Sequence, residues 1–169
     1  MGYTVTHTIE TDVEGFWKAF LDPELGQAIQ DDLKEYAGFE VVEERRDEQG
    51  NLHRRINVWS KFEIPAIAQK LVGDGRYAEV GFFDNSAKRY KAKYIPNKSA
   101  DKIHTDFVIY ARPVNGGKHC ERVIEVDNTV KVFGIGGMLA SVMEKTQREV
   151  HDHSAEFTNK WLRARGQAK

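Results

Sequence analysis

The stretch FGIGGMLASVMEKTQREVHDHSAEFTNKWLR, residues 133–163, decides the fold. Apolar or small side chains recur at Leu139, Val142, Met143, Thr146, Val150, Phe157 and Trp161, a spacing of three and four that gathers them on one helical face. Glu144, Lys145, Arg148, Asp152, Glu156 and Lys160 fall mostly elsewhere. Glu144/Arg148 and Glu156/Lys160 stand four apart with the acid first, the favourable order on a helix. The spacing predicts a long amphipathic helix closing the chain, its charged side in water. Glycines at 134, 136 and 137 separate it from an extended run and let the backbone turn sharply there.

What that helix covers follows from the chain before it. Tyr3, Val5, His7 and Ile9 alternate with Thr4, Thr6 and Thr8, the pattern of a first strand. Thr11 or Asp12 can cap a short helix through Leu21 that puts Val13, Phe16, Trp17 and Phe20 on one face. Pro23 at a first helical position, followed by Leu25, Ile29, Leu33 and Tyr36, predicts a second helix stopped by Gly38. Runs 39–46 and 52–62 are extended and joined by DEQGN, a hairpin turn. In the second run Leu52, Arg54, Ile56, Val58 and Phe62 share a face. IPAIAQKLVGDG then allows a helical turn or two around Pro65 before extended runs resume at 76–83, 87–95, 102–112 and 118–133, separated by the turn sequences DNSA, PNKSAD and PVNGG. Run 102–112 is the clearest, with Ile103, Phe107, Ile109 and Ala111 alternating with His104, Asp106 and Tyr110.

An antiparallel series joined by hairpins has one face to bury, and the closing helix is the element long enough to cover it. The expected class is α+β, a curved antiparallel sheet wrapped around a long C-terminal helix, with two short helices after the first strand. With 169 residues and neither repeat nor low-complexity linker, one domain spanning 1–169 is expected.

Lysine and arginine number 25 against 26 aspartate and glutamate, which argues against a general nucleic-acid binder. Cys120 stands alone, so no intramolecular disulfide can form and a cysteine-rich metal site is excluded. MGYTVTHTIETD at the start lacks a basic region followed by an apolar run, and no stretch approaches the ~20 apolar residues of a membrane span. A soluble, cytoplasmic protein is expected. KRYKAK at 88–93 sets a tyrosine among four cations; that suits transient contact with an anionic membrane surface, or a solvated edge strand whose lysines discourage aggregation.

The β-α-α opening, the meander and the glycine-bounded C-terminal helix together resemble the START-like superfamily and its helix-grip fold over nearly the whole chain. Two branches share more of the pattern. One is a bacterial START-like family of uncharacterised function, similar in length and in its ending of strand, glycine-rich junction and helix. The other is the PRELI group of phospholipid-transfer proteins, which EERRDEQGNLHRRINVWSKFEIPAIAQKL at 43–71 and VKVFGIGGMLASVME at 130–144 resemble. The resemblance implies a cavity between sheet and helix, which superfamily members use for sterols, phospholipids, plant hormones or polyketides. It implies no catalytic residue, because the superfamily has no single invariant catalytic motif.

Candidates for lining such a cavity are Ile56, Val58, Phe107, Ile109, Met138, Val142 and Met143, residues that would equally fill an ordinary core. Arg54 falls on the face of Leu52, Ile56 and Val58, where an unpaired cation would cost several kcal/mol. It needs an anion: an internal carboxylate such as Glu43 or Glu79, unless a bulge turns it outward, or the carboxylate or phosphate of a ligand. His151 and His153 point about 200° apart on a helix and cannot share an ion, and no HExxH, GxSxG or dinucleotide fingerprint occurs, so neither metal nor cofactor is expected. Tyr90, Tyr94 and Tyr110 could act as acids in a polyketide cyclase. The leading expectation is a non-catalytic binder or carrier of a hydrophobic small molecule or lipid. A cyclase or aromatase-like enzyme and a protein-interaction module using the same groove are the alternatives. The sequence names no oligomeric state.

Overall fold

A computed structural model describes residues 1–61 and 64–169. The chain runs β1 (Gly2–Ile9), α1 (Val13–Phe20), α2 (Pro23–Asp32), β2 (Tyr36–Arg46), β3 (Leu52–Ser60), α3 (Ala66–Val72), β4 (Arg76–Asp84), β5 (Arg89–Pro96), β6 (Ile103–Val114), β7 (His119–Val130) and α4 (Gly136–Ala164). The seven strands form one antiparallel sheet in the order β1-β7-β6-β5-β4-β3-β2. β1 crosses to pair with β7, and the other neighbours are consecutive strands, β3 and β4 being joined through α3, so the sheet is a meander with β1 and β2 at its edges. This is the helix-grip fold, with α4 gripped by the sheet.

The local chemistry explains most boundaries. Asp12 caps α1 by accepting from the Gly15 backbone amide at 2.8 Å, and Asp22 caps α2 with Pro23 in its first turn. α2 ends earlier than its apolar spacing suggests, at Asp32 rather than near Gly38. Tyr36 is instead taken into β2, opposite Ser60, where pairing with β3 offers the backbone a full ladder of partners. β3 closes at Ser60, and Phe62, expected on its inward face, lies outside the described residues. The KRYKAK segment is not at an edge, because β5 lies between β4 and β6. Lys91 and Lys93 point away from the buried Tyr90 and Ala92 on the other face, while Lys88 stays in the turn before β5.

α4 divides into two halves. From His151 onward it packs tightly, with His151, Ala155, Thr158 and Leu162 buried and Phe157 and Trp161 against their flank. This core face is rotated slightly from the expected stripe. Its first half buries Leu139 and Ala140, whereas Val142, Met143, Thr146 and Val150 stay half-buried because they face a cavity. A hydrogen-bonded polar set fixes the helix over the sheet between these halves. Thr105 Oγ1 donates to Asn128 Oδ1 at 2.6 Å, Asn128 Nδ2 to Gln147 Oε1 at 2.8 Å, and Tyr3 donates to the same Gln147 oxygen at 2.8 Å. Beyond the far end, Trp17 and Phe20 of α1 pack on Phe83 and Tyr90, with ring centroids 4.8 and 5.2 Å apart, and seal the core from below.

Candidate functional site

Two adjoining hollows separate α4 from the sheet. The larger, of about 300 Å³, lies over β2 to β7 and takes in Arg54, Ile56, Val58, Glu79, Tyr90, Phe107, Ile109 and Arg122. The smaller, of about 150 Å³, is bounded by α3 and the first half of α4 and is lined by Val72, Ile103, Leu139, Val142 and Met143. Tyr36, Tyr77, Tyr94, Val150 and His151 belong to both walls. One chamber is thus apolar, the other carries the charges, and three tyrosines stand between them. Tyr77 and Tyr94 stack with centroids 4.9 Å apart, and Tyr94 lies 4.7 Å from Phe107.

Of the residues expected to line a cavity, Arg54, Ile56, Val58, Phe107 and Ile109 sit in the larger chamber and Val142 and Met143 in the smaller. Met138 lines neither and is 44% exposed, since one step along the helix turns it about 100° from the buried Leu139. Tyr90 and Tyr94 face the cavity, whereas Tyr110 is on the opposite face of the sheet, bonded to Glu125 at 3.0 Å and covered by Arg89. These three tyrosines therefore do not form one acid site.

The chemistry of the larger chamber comes from alternation on two neighbouring strands. β4 turns Tyr77, Glu79, Gly81 and Phe83 inward, and β5 turns Tyr90, Ala92 and Tyr94 inward. A Cβ at Gly81 would overlap the Tyr90 hydroxyl, so only glycine lets that ring cross the strand. The hydroxyl then donates to Glu79 Oε1 at 2.5 Å. Burial pushes Glu79 above the usual carboxylate range, opposed by Tyr90 and Arg54, and pushes the Tyr77, Tyr90 and Tyr94 phenols well up. Tyr36 rises to about 12 for the same reason. Glu79 lies deep in the molecule but keeps part of its surface open to the hollow.

Arg54 lies beside Glu79, one of the two carboxylates expected for it, and its bonded partner is Glu44 in place of Glu43. A register shift between Val41 and Glu43 brings Glu44, not Glu43, opposite Arg54, and Arg54 Nε donates to Glu44 Oε2 at 3.3 Å. Burial alone would lower the arginine's proton affinity, but Tyr90, Glu79 and Glu44 together hold it above its ordinary value. Two carboxylates therefore share one guanidinium.

A second inward arginine was not singled out from the sequence. Arg122 lies on β7 between Cys120 and Ile124 in the same alternation that exposes Arg54 to notice, and it is almost completely buried. Its Nη2 donates to the His151 carbonyl at 2.8 Å and to His7 Nδ1 at 3.1 Å, and its Nη1 donates to Ser154 Oγ at 3.1 Å. His7 must then carry its proton on Nε2, which donates to Asp152 Oδ1 at 2.8 Å. Burial lowers Arg122 to about 10, opposed by Asp152, and burial beside Arg122 lowers His151 to about 3. The Arg122 Nε has no open surface and no partner among the described residues, and the bonds of the terminal nitrogens join α4 to the sheet at the wall of the larger chamber. Among the described residues there is no group of three or more side chains arranged to hold a metal ion, and no helix is long and apolar enough to cross a membrane.

The chain belongs to the family described as "Protein of unknown function (DUF2505)", whose model matches residues 4–162. No curated protein matches the sequence. Among solved structures it is similar to TTHA0849 from Thermus thermophilus, with a TM-score of 0.68 at 16% identity over 97% of this chain and 98% of that one. It is similar to norcoclaurine synthase from Thalictrum flavum, with a TM-score of 0.65 at 14% identity over 96% and 87%. A START superfamily protein from Mycobacterium smegmatis gives a TM-score of 0.58 at 12% identity over 96% and 97%. The START-like resemblance of the sequence is thereby shown at the level of fold. The likeness of its hairpin to the PRELI group is not.

Proposed function

We propose that this protein binds a hydrophobic small molecule or lipid in the space between α4 and the sheet, with its apolar part in the smaller chamber and its polar part in the larger. The observation that carries the reading is that Val142, Met143, Tyr77, Tyr94 and Glu79 are deep in the molecule yet line open space. A side chain selected only for stability would close on its neighbours, since interiors pack to crystal-like density. The whole chain acts as one unit in this reading, a carrier or binder without a cofactor. A second reading, a cyclase or aromatase-like enzyme, draws on the Tyr90–Glu79 pair with Arg54 beside it, because a reaction needs polar groups converging inside the apolar space.

Native mass spectrometry before and after organic extraction tests the first reading, together with titration by the neutral fluorescent probe N-phenyl-1-naphthylamine. An extractable adduct or saturable probe binding is expected, abolished in Val142→Trp, whose indole fills the smaller chamber, while the melting temperature holds or rises. Absence of both adduct and probe binding in the folded wild type would overturn it. Chemical change in a bound guest, lost in Glu79→Gln and retained in Val142→Ala, would establish the enzyme reading instead.

A further inference from the structure

Resting on that reading of the cavity, we infer that the polar end of the guest is a cation: an organic amine whose ammonium group sits against Glu79 beside Tyr36, Tyr77 and Tyr94.

Glu44, Glu79, Arg54 and Arg122 are the charged side chains lining the larger chamber. Arg122 is spoken for: its terminal nitrogens are bonded to His151, His7 and Ser154, and Asp152 offsets it through His7. Arg54 is bonded to Glu44 and also lies beside Glu79. The one carboxylate bonded to Arg54 among the described residues is Glu44. Glu79 is the carboxylate left over, since its one hydrogen-bond partner among the described residues is the neutral Tyr90 hydroxyl.

The surroundings of Glu79 point the same way. Tyr36, Tyr77, Tyr90 and Tyr94 all lie within its electrostatic reach, and Phe107 stacks against Tyr94. Tyrosines attract ammonium groups through the negative potential of their rings and through their hydroxyl oxygens, so tyrosines lining a hollow beside a carboxylate suit an organic cation. An acidic guest would meet Glu79 and Glu44 with Arg54 already bonded to Glu44, so the anion that Arg54 suggested from sequence is disfavoured. A neutral guest would leave Glu79 without its counter-charge. The apolar chamber beyond Tyr77 and Tyr94 is where the hydrocarbon part of the amine would lie.

The test is a matched series with one tail and three heads: decylamine, decanol and decanoate, each below its micelle concentration at neutral pH, displacing N-phenyl-1-naphthylamine from the full chain. Decylamine is expected to bind about tenfold more tightly than decanoate, with decanol between, the size of one partly desolvated charged contact plus cation–π attraction. In Glu79→Gln, which keeps the shape and the Tyr90 contact, the ratio of amine to alcohol affinity should collapse toward one. If decanol displaces the probe and decylamine binds no better than decanoate, or if the ratio survives Glu79→Gln, this inference is overturned and the cavity reading stands. If none of the three displaces the probe and the probe itself does not bind, the cavity reading fails and takes this one with it. The wild-type series decides the sign of the preference even if the variant does not fold.

Discussion

The two halves of α4 use a similar surface for opposite ends. Beyond His151 the helix presses Ala155, Thr158 and Leu162 into the core, and the polar atoms it brings to the wall of the larger hollow, around Arg122 and His7, are almost all bonded. Before Val150 it offers Val142, Met143 and Thr146 to the smaller hollow, where few side chains meet them. Helical periodicity cannot tell these faces apart, because a residue lining a cavity and one filling a core are both turned from water. What separates them is whether the sheet below supplies a matching side chain. Under the second half it supplies Ile9, Ile124 and the rings of α1; under the first it supplies tyrosines that stop short.

The largest effect that could break this contrast is a truncation in each half. Leu162→Ala should cost about 2 to 5 kcal/mol in chemical denaturation, as for a buried leucine whose neighbours relax only partly, whereas Val142→Ala should cost about 1 kcal/mol or less, because its side chain already borders a void. Equal losses would show that the first half is packed after all.

The second half should also register in the pH dependence. His151 and His7 both have proton affinities lowered in the folded state, first by burial and then by Arg122, with Asp152 opposing at His7. The unfolded chain takes up protons below about pH 6.5 that the folded chain refuses, so this stability is present above that pH and is lost as pH falls toward 3. The slope is at most about 1.4 kcal/mol per pH unit per histidine, and urea midpoints measured from pH 7 to pH 4 should show it, with a flatter profile in His151→Gln.

Glu79, on the wall of the larger hollow, predicts the reverse sign. Its proton affinity is raised, mainly by burial, so the unfolded chain ionises first as pH rises and folding loses stability above the ordinary glutamate range. Glu79→Gln should therefore raise the urea midpoint at neutral pH and leave it unchanged at pH 4. A destabilised variant at neutral pH would mean that the carboxylate serves the fold rather than a guest. A smaller effect is expected for Met138→Ser, within about 0.5 kcal/mol, because that side chain lies outside both hollows and core. A large loss in the melting temperature would return Met138 to the lining.

Most of the architecture was legible in sequence because turns and alternation are local. DEQGN, PNKSAD and PVNGG each sit between paired strands, and the inward set Ile103, Phe107 and Ile109 holds throughout β6. The misreadings come from facts that are not local. KRYKAK has the composition of an edge strand but its place depends on which strands flank it, and Tyr36 continues the spacing of α2 but is captured by pairing with Ser60. At the site, period-two reading picked out Arg54, with Glu79 named as a possible partner, and would have picked out Arg122 had it been applied to β7. It could not have found Glu44, since a bulge shifts that register by a residue. Nor could it have found the division into two chambers, which depends on how far three tyrosines reach across empty space.

Gly81 has a consequence for how the family can vary. The Tyr90 ring occupies the volume that any Cβ at position 81 would claim. A chain that acquires a side chain there must either move the phenol off Glu79 or replace Tyr90 with something smaller, and in the second case the carboxylate loses the hydroxyl that donates to it. Positions 81 and 90 are thus expected to covary: glycine with tyrosine, or a side chain at 81 with a shortened residue at 90 and an altered acid at 79. Where the pair has drifted in that way, the chemistry of the chamber wall will have changed without any change in the fold.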